Sequence, residues 1–581
     1  MRIALLIAFS LGFVVPLRAE LTVEQRSHDF QNLAALYAKR YAPYEWKRQI
    51  SGFDLFDLKP WMDRVRQSKD DLEFFEICAE YVASLDDLHT SFRTPSNFVA
   101  DTGIFVDIYD GRVLIESINR ARLPAAEYPF QVGDELVSLD GKTAEQWITE
   151  LSRLRRRGNP STTRRSAADL ITFRPQSVVP RAVELSETAT VVIRRESGEE
   201  QTYEVPWVKT GLPHVSVGPV PSPRLASANA GRAVEEQPLY LRLLEEARNW
   251  SAPSGDHLQT GTTWSEELGQ EVPRRYLLGW GSRTPTFALP PNFQLRLGRA
   301  ASDFHFSGTY DFNGTRIGYL RFPNFAPPST PAAIQELDRE IAFLQENTDG
   351  LVIDVMRNTG GGCYMLDAAS RLIPYPFFFF GEEIRVTYDR LTSYEVALRQ
   401  ARARNADEWI IAYLETLFHE LSDTYYQNRG RTGAVPACNT FGSPLPPGME
   451  DNPPAATTYR KPMIVLIDEF STSAGDIFPA MLQDNRRAPL VGARTNGAGG
   501  SVSGWPTGLY SESQSSNTNT LVVRNQQIVT AEYPTGPYVE NIGARPDIPL
   551  EYMTRENLVN RGRPFVDAFS RILVDEIRRL Q

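Results

Sequence analysis

Between residues 21 and about 92 the apolar positions recur every three or four residues, as in Phe30, Leu33, Leu36 and Tyr37 and again in Leu72, Phe75, Ala79 and Val82. That period lines one face of a helix and predicts a small helical unit over residues 20–98. The unit ends in Asp86-Asp87-Leu88-His89-Thr90-Ser91-Phe92, which leaves the helical period and puts His89 in a loop or at a strand start. Over 99–208 the pattern shortens to β-rich runs at 103–106, 112–115 and 190–193, around one helix near 144–154. Residues 209–300 gain Pro, Ser, Gly and Arg without a sustained period, which predicts an inserted, partly irregular segment. From Gly314 onward strands and helices alternate. Strands are expected at 316–322, 351–355, 463–468 and 489–491. Thr330-Pro331 opens a helix with Ile334, Leu337, Ile341 and Leu344 on one face, and another helical run reaches Asn485. The apolar runs suit strands buried on both faces, so residues 301–581 read as an α/β core with a mainly parallel sheet. An excursion over about 375–456, with a long helical stretch from Ser393 to Gln427, interrupts that core.

The first residues change the picture of where the chain works. Met1-Arg2, an apolar run over 3–16 and Leu17-Arg18-Ala19 before Glu20 predict a signal peptide over 1–19. The run is shorter than the ~20 apolar residues that span a bilayer, so export to the periplasm or beyond is expected, without a stable membrane anchor. A chain of 581 residues is too long for one core. Its net charge of −11 excludes a nonspecific nucleic-acid binder, which needs a basic face. The three cysteines, Cys78, Cys363 and Cys438, lack metal-ligand spacing. They exclude a disulfide-stapled scaffold but leave room for one pair and a buried thiol.

Ligands of an open α/β sheet bind outside the carboxyl ends of its strands. Two loops qualify: Met356-Arg357-Asn358-Thr359-Gly360-Gly361-Gly362, and Phe470-Ser471-Thr472-Ser473-Ala474-Gly475-Asp476. The glycine loop can aim backbone N–H groups at an anion. Ser473, with Asp476 three residues on, is either a helix cap or a hydroxyl placed for chemistry.

The order of these pieces, followed by Leu482-Gln483-Asp484-Asn485, Val491-Gly492 and Glu540-Asn541-Ile542-Gly543-Ala544-Arg545-Pro546-Asp547, resembles the carboxy-terminal-processing and tricorn peptidases. The resemblance implies a core of the tail-specific protease, crotonase-like type, with Ser473 as nucleophile. It also implies an oxyanion hole at the Ala474 N–H and at Gly360 or Gly361. Many members activate the serine with a downstream lysine, but the corresponding stretch here is Thr495-Asn496-Gly497-Ala498-Gly499, and no lysine follows Lys461. A Ser–Lys dyad from that stretch is excluded, and another base is needed. Of the six histidines, His28, His89, His214, His257, His305 and His419, only His89 lies in a segment resembling the Leu-x-Asp-x-His-Thr of histidine-based members such as tricorn protease. Imidazole can take the serine proton and return it to the leaving amine. Glu540 matches the family's orienting carboxylate, with Glu532 as its rival.

Val132-Gly133-Asp134-Glu135, with Asp140-Gly141 after it, resembles a PDZ domain, which would bind an extended chain end by strand addition. The expectation is therefore a secreted serine endopeptidase acting on protein or peptide substrates, docked through the PDZ-like domain, with no cofactor or metal. The alternative is a catalytically inactive binding protein on the same fold, with Phe377-Phe378-Phe379-Phe380 lining an apolar pocket. The 209–300 insert, with Pro-Ser-Pro-Arg and Ala-Asn-Ala-Gly-Arg stretches, is expected to be either a self-cleaved gate or a passive loop.

Overall fold

The computed structural model describes residues 20–214, 237–248, 262–265, 270–273, 279–438 and 452–580. Residues 1–19, read as a leader, and about half of the expected gate lie outside these residues.

Four helices open the chain: α1 (Val23–Arg40), α2 (Tyr44–Ser51), α3 (Lys59–Gln67) and α4 (Asp71–Ala83). Thr22 caps α1 in a capping box with Gln25, and Asp70 caps α4 through the Glu73 N–H. Their apolar faces meet in one cluster that includes Phe30, Leu33, Tyr37, Phe75 and Val82.

The PDZ-like unit has strands β1 (Ile104–Tyr109), β2 (Arg112–Ile118) and β3 (Glu135–Leu139). Helices α5 (Ala144–Ser152) and α6 (Pro160–Thr172) follow, then β4 (Thr188–Arg194) and β5 (Glu200–Pro206). These strands pair in the order β1-β2-β3-β4-β5, leaving β1 at an edge. The sequence reading missed α6. Asn159 caps it and Pro160 stands in its first turn. Its polar Ser-Thr-Thr-Arg-Arg start hid a helix whose buried side is carried by Ala167, Ala168, Leu170 and Ile171. From the insert, α7 (Leu239–Arg248) is helical.

The core sheet holds β6 (Gln294–Leu297), β7 (Phe306–Phe312), β8 (Thr315–Arg321), β9 (Gly350–Asp354), β10 (Met463–Ile467), β11 (Leu490–Gly492) and β12 (Ile548–Pro549), in that spatial order. Pairing is parallel from β8 to β12 and antiparallel from β6 to β8. The antiparallel pair was not foreseen, because β6 falls inside the stretch read as irregular. Both β9 and β10 are buried at every position. Helices α8 (Thr330–Asn347) and α9 (Tyr364–Ser370) contribute to the apolar cluster on one side of the sheet, and the terminal α13 (Arg563–Leu580) to the cluster on the other. The expected single helix at 393–427 is two, α10 (Tyr388–Ala403) and α11 (Glu408–Tyr426), broken where Asn405 takes a positive φ of 49°. Phe377, Phe379 and Phe380 are buried in the main core cluster, so they do not line an open pocket.

Candidate active site

β10 ends at Ile467 and α12 (Ala474–Asp484) begins seven residues on, so Ser473 stands at a sharp strand-to-helix turn. Its backbone, at φ 57° and ψ −119°, lies where a residue with a Cβ is rarely found. Neighbours hold it there. Thr472 N–H donates to the Asn358 carbonyl at 2.9 Å, and Ser471 Oγ donates to the Val355 carbonyl at 2.8 Å. Ser473 makes no capping bond to α12, and its Oγ has no partner among the described residues although the residue is 2% exposed. A serine that served as a cap would have spent that oxygen.

The glycine loop packs directly on this turn. Gly360 has φ +87°, and a Cβ on it would lie 2.6 Å from Ser473 Cβ and 3.2 Å from its Oγ. A Cβ on Gly361, at φ +140°, would lie 2.2 Å from the Phe325 carbonyl carbon. The Gly360 N–H donates to Asn358 Oδ1 at 2.8 Å, and Gly361 forms a parallel bridge with Phe325. The loop thus touches the serine, while the Gly360 N–H is turned toward Asn358.

Asp476, in the first turn of α12, ties in a third segment: its carboxyl accepts from Gly497 N–H at 2.6 Å and Ala498 N–H at 3.1 Å. Burial pushes its pKa up to about 7, against the pull of Thr495 and those N–H groups. Ala498 also packs with Phe470, Leu88 and Trp280 in a small buried cluster. The residue before His89 and the serine loop therefore share one apolar contact.

His89 sits in a turn before the strand Ser91–Arg93 and is 4% exposed. Its N–H donates to Asp87 Oδ1 at 2.8 Å, and its carbonyl accepts from Ser516 Oγ at 2.6 Å. Ring Nδ1 has no partner among the described residues. Burial lowers the imidazole below its ordinary pKa; Asp87 works against that shift and Lys47 adds to it.

Glu540 is fully buried, whereas Glu532 is exposed and paired with Arg545 at 2.8 Å. Both Glu540 oxygens are taken: Oε1 by Lys47 Nζ at 2.5 Å and Oε2 by Gly499 N–H at 3.1 Å. Lys47, from α2, was missed in the sequence reading. Its ammonium also donates to Asn541 Oδ1 and to the Asp86 carbonyl, each at 2.7 Å. Burial alone would lower Lys47, but Glu540, Asp87 and Asp86 outweigh it and leave its pKa raised. Burial and Asp87 push the Glu540 carboxyl up, and Lys47 pulls it back. An ammonium ringed by three oxygen acceptors fits the charged pair.

The remaining described histidines are placed otherwise. His305 is held between Glu336 and Tyr364 at 2.6 and 2.8 Å. His28 bonds Asn32 on α1, His214 closes the described stretch after the PDZ-like unit, and His419 lies on α11. His257 is outside the described residues.

Residues 316–550 match the model of peptidase family S41, and residues 103–212 match that of a PDZ domain. The core of the chain is thus a peptidase family S41 domain. It is a serine peptidase of mixed α/β fold with a PDZ domain ahead of its catalytic core. A protein of Chlamydia trachomatis serovar D is 26% identical across 95% of this chain and 93% of its own length. A carboxy-terminal-processing protease of Bartonella bacilliformis is 35% identical over 96 residues, 16% of this chain and 19% of its own. The solved structure of mature CPAF complexed with lactacystin has the same fold, with a TM-score of 0.71 at 22% identity over 96% of this chain and 99% of that one. Among the described residues no helix is long and apolar enough to cross a membrane.

Proposed function

We propose that this S41 peptidase is an exported endopeptidase that cleaves protein chains with Ser473 as nucleophile and His89 as general base, without a Ser–Lys dyad. The observation that carries the reading is the uncapped, unpartnered Ser473 Oγ on a strained turn against Gly360. His89 takes the hydroxyl proton as the Ser473 oxygen bonds the scissile carbonyl carbon. The carbonyl oxygen becomes an oxyanion over the first turn of α12, where the Ala474 N–H has no helical acceptor. His89 then gives the proton to the leaving amine, and water hydrolyses the acyl-enzyme by the same steps in reverse. Gly360 or Gly361 supplies the second oxyanion donor once the loop turns an N–H from its resting partner.

Glu540 supports the base from a distance in this reading, since both its oxygens are spent on Lys47 and Gly499. Substrate docks along the edge strand β1 by strand addition. Arg165 of α6 holds Asp107 of β1, at 2.5 Å on Oδ2, which anchors that strand to α6. Export is supported by the apolar leader and by the Cys363–Cys438 disulfide, a bond that persists in oxidising compartments. The test is a fluorophosphonate probe with casein as substrate. Wild type should gain a mapped adduct on Ser473 and digest casein; Ser473→Ala should do neither. An active Ser473→Ala enzyme refutes the assignment.

A further inference from the structure

Helix α2 sets two consecutive side chains on one residue of the site. Trp46 Nε1 donates to the Glu540 carbonyl at 3.0 Å, and Lys47 Nζ donates to the Glu540 carboxylate at 2.5 Å. The same ammonium holds Asn541 Oδ1 and the carbonyl of Asp86, each at 2.7 Å. Asp86 and Asp87 lead directly into His89, and Asp87 fixes the His89 N–H. One buried cation therefore joins the segment carrying the base to the segment carrying Glu540. Burying such a pair costs several kcal/mol of desolvation, and an apolar pair of equal volume is often as stable, so packing alone does not call for it.

We propose that Lys47 is a positioning residue of this peptidase, fixing Glu540 and setting by its charge how readily His89 takes a proton. The inference rests on His89 being the base. The charged and titratable groups around Lys47 are Glu540, Asp86 and Asp87, with His89 beyond them and Tyr41 donating to Asp87. Two of these charges act on the imidazole in opposite senses: Asp87 favours the protonated ring, and Lys47 disfavours it. Burial chiefly keeps the ring neutral, ready to accept the serine proton, and Lys47 adds to that, while Asp87 holds its backbone. Glu540 holds the ammonium in place.

The experiment measures kcat/KM on a fluorogenic peptide, and the rate of fluorophosphonate labelling, from about pH 5 to 9, in the full chain. Lys47→Met should move the midpoint of the acid limb up by about half a pH unit or more, because loss of the cation makes imidazolium easier to form. Lys47→Arg, which keeps the charge, should keep the midpoint and lose only plateau rate. Lys47→Met with Glu540→Gln removes the pair together, restores stability and should keep the shift, so it carries the measurement where the single variant fails to fold. An unmoved midpoint in both Met variants makes Lys47 a structural pair only and overturns the proposal. His89→Ala separates the two readings. If it labels at the wild-type rate, His89 is not the base, and the inference falls with that reading.

Discussion

Ser473 is held in a conformation costing about 1–3 kcal/mol, and its Oγ makes no hydrogen bond that repays it. Removing its Oγ therefore takes nothing from the fold. Ser473→Ala should abolish peptidase turnover while leaving Tm at or slightly above wild type, measured by scanning calorimetry beside the casein assay. His89 gives a pH dependence of definite sign. Its pKa is lowered in the fold, so the folded state prefers the neutral ring, and that preference stabilises above the unfolded value of about 6.5. It is lost as pH falls through the lower folded value. In the proposed mechanism activity needs the same neutral ring, so the acid limb of kcat/KM should have its midpoint below about 6.5. A midpoint near 9 would point to an amine base. Ser473 and His89 stood out in the sequence because each sits in a motif. Lys47 did not, because a lysine in an eight-residue helix reads as a surface residue until the fold buries it. Glu540 and Glu532 differ in burial, which a sequence does not display.

The glycine loop packs on Ser473, and α6 bonds the segments before and after it. Gly360→Ala would drive a methyl group onto Ser473 Cβ and the Thr472 carbonyl, at 2.6 and 2.8 Å, and would also oppose φ +87°. Turnover should fall at least about 100-fold, the scale of losing an oxyanion donor, with the protein still folded by circular dichroism. Helix α6 reaches the core at its N-terminal end: Thr162 Oγ1 donates to the Glu469 carbonyl and Asn159 Nδ2 to the Thr495 carbonyl. Its Arg165 joins Asp107 to Glu469. Arg165→Ala leaves two carboxylates without their partner, one of them deeply buried, and should cost about 3–5 kcal/mol in urea unfolding. The core strands were legible because each is an uninterrupted apolar run, and α8 because of its Thr-Pro opening. What was missed depended on partners far along the chain: α6 on the PDZ-like sheet, and β6 and β7 on the edge of β8.

Across the molecule, the Cys363–Cys438 disulfide joins the start of α9, next to the glycine loop, to the end of the helical excursion, 75 residues on. Reduction should lower stability by up to about 4 kcal/mol, read as a lower Tm with added dithiothreitol. The sequence allowed one such pair but not its identity, since three cysteines admit three pairings. Chain order has a further consequence. Lys47 and His89 lie near the beginning of the polypeptide, and Ser473 and Glu540 near its end, yet each reaches the Thr495–Gly499 stretch through a bonded residue or, for His89, through its neighbour Leu88. A ribosome therefore delivers the imidazole of His89 long before the hydroxyl of Ser473. In the proposed mechanism a chain that stops short of Ser473 carries the base without its nucleophile.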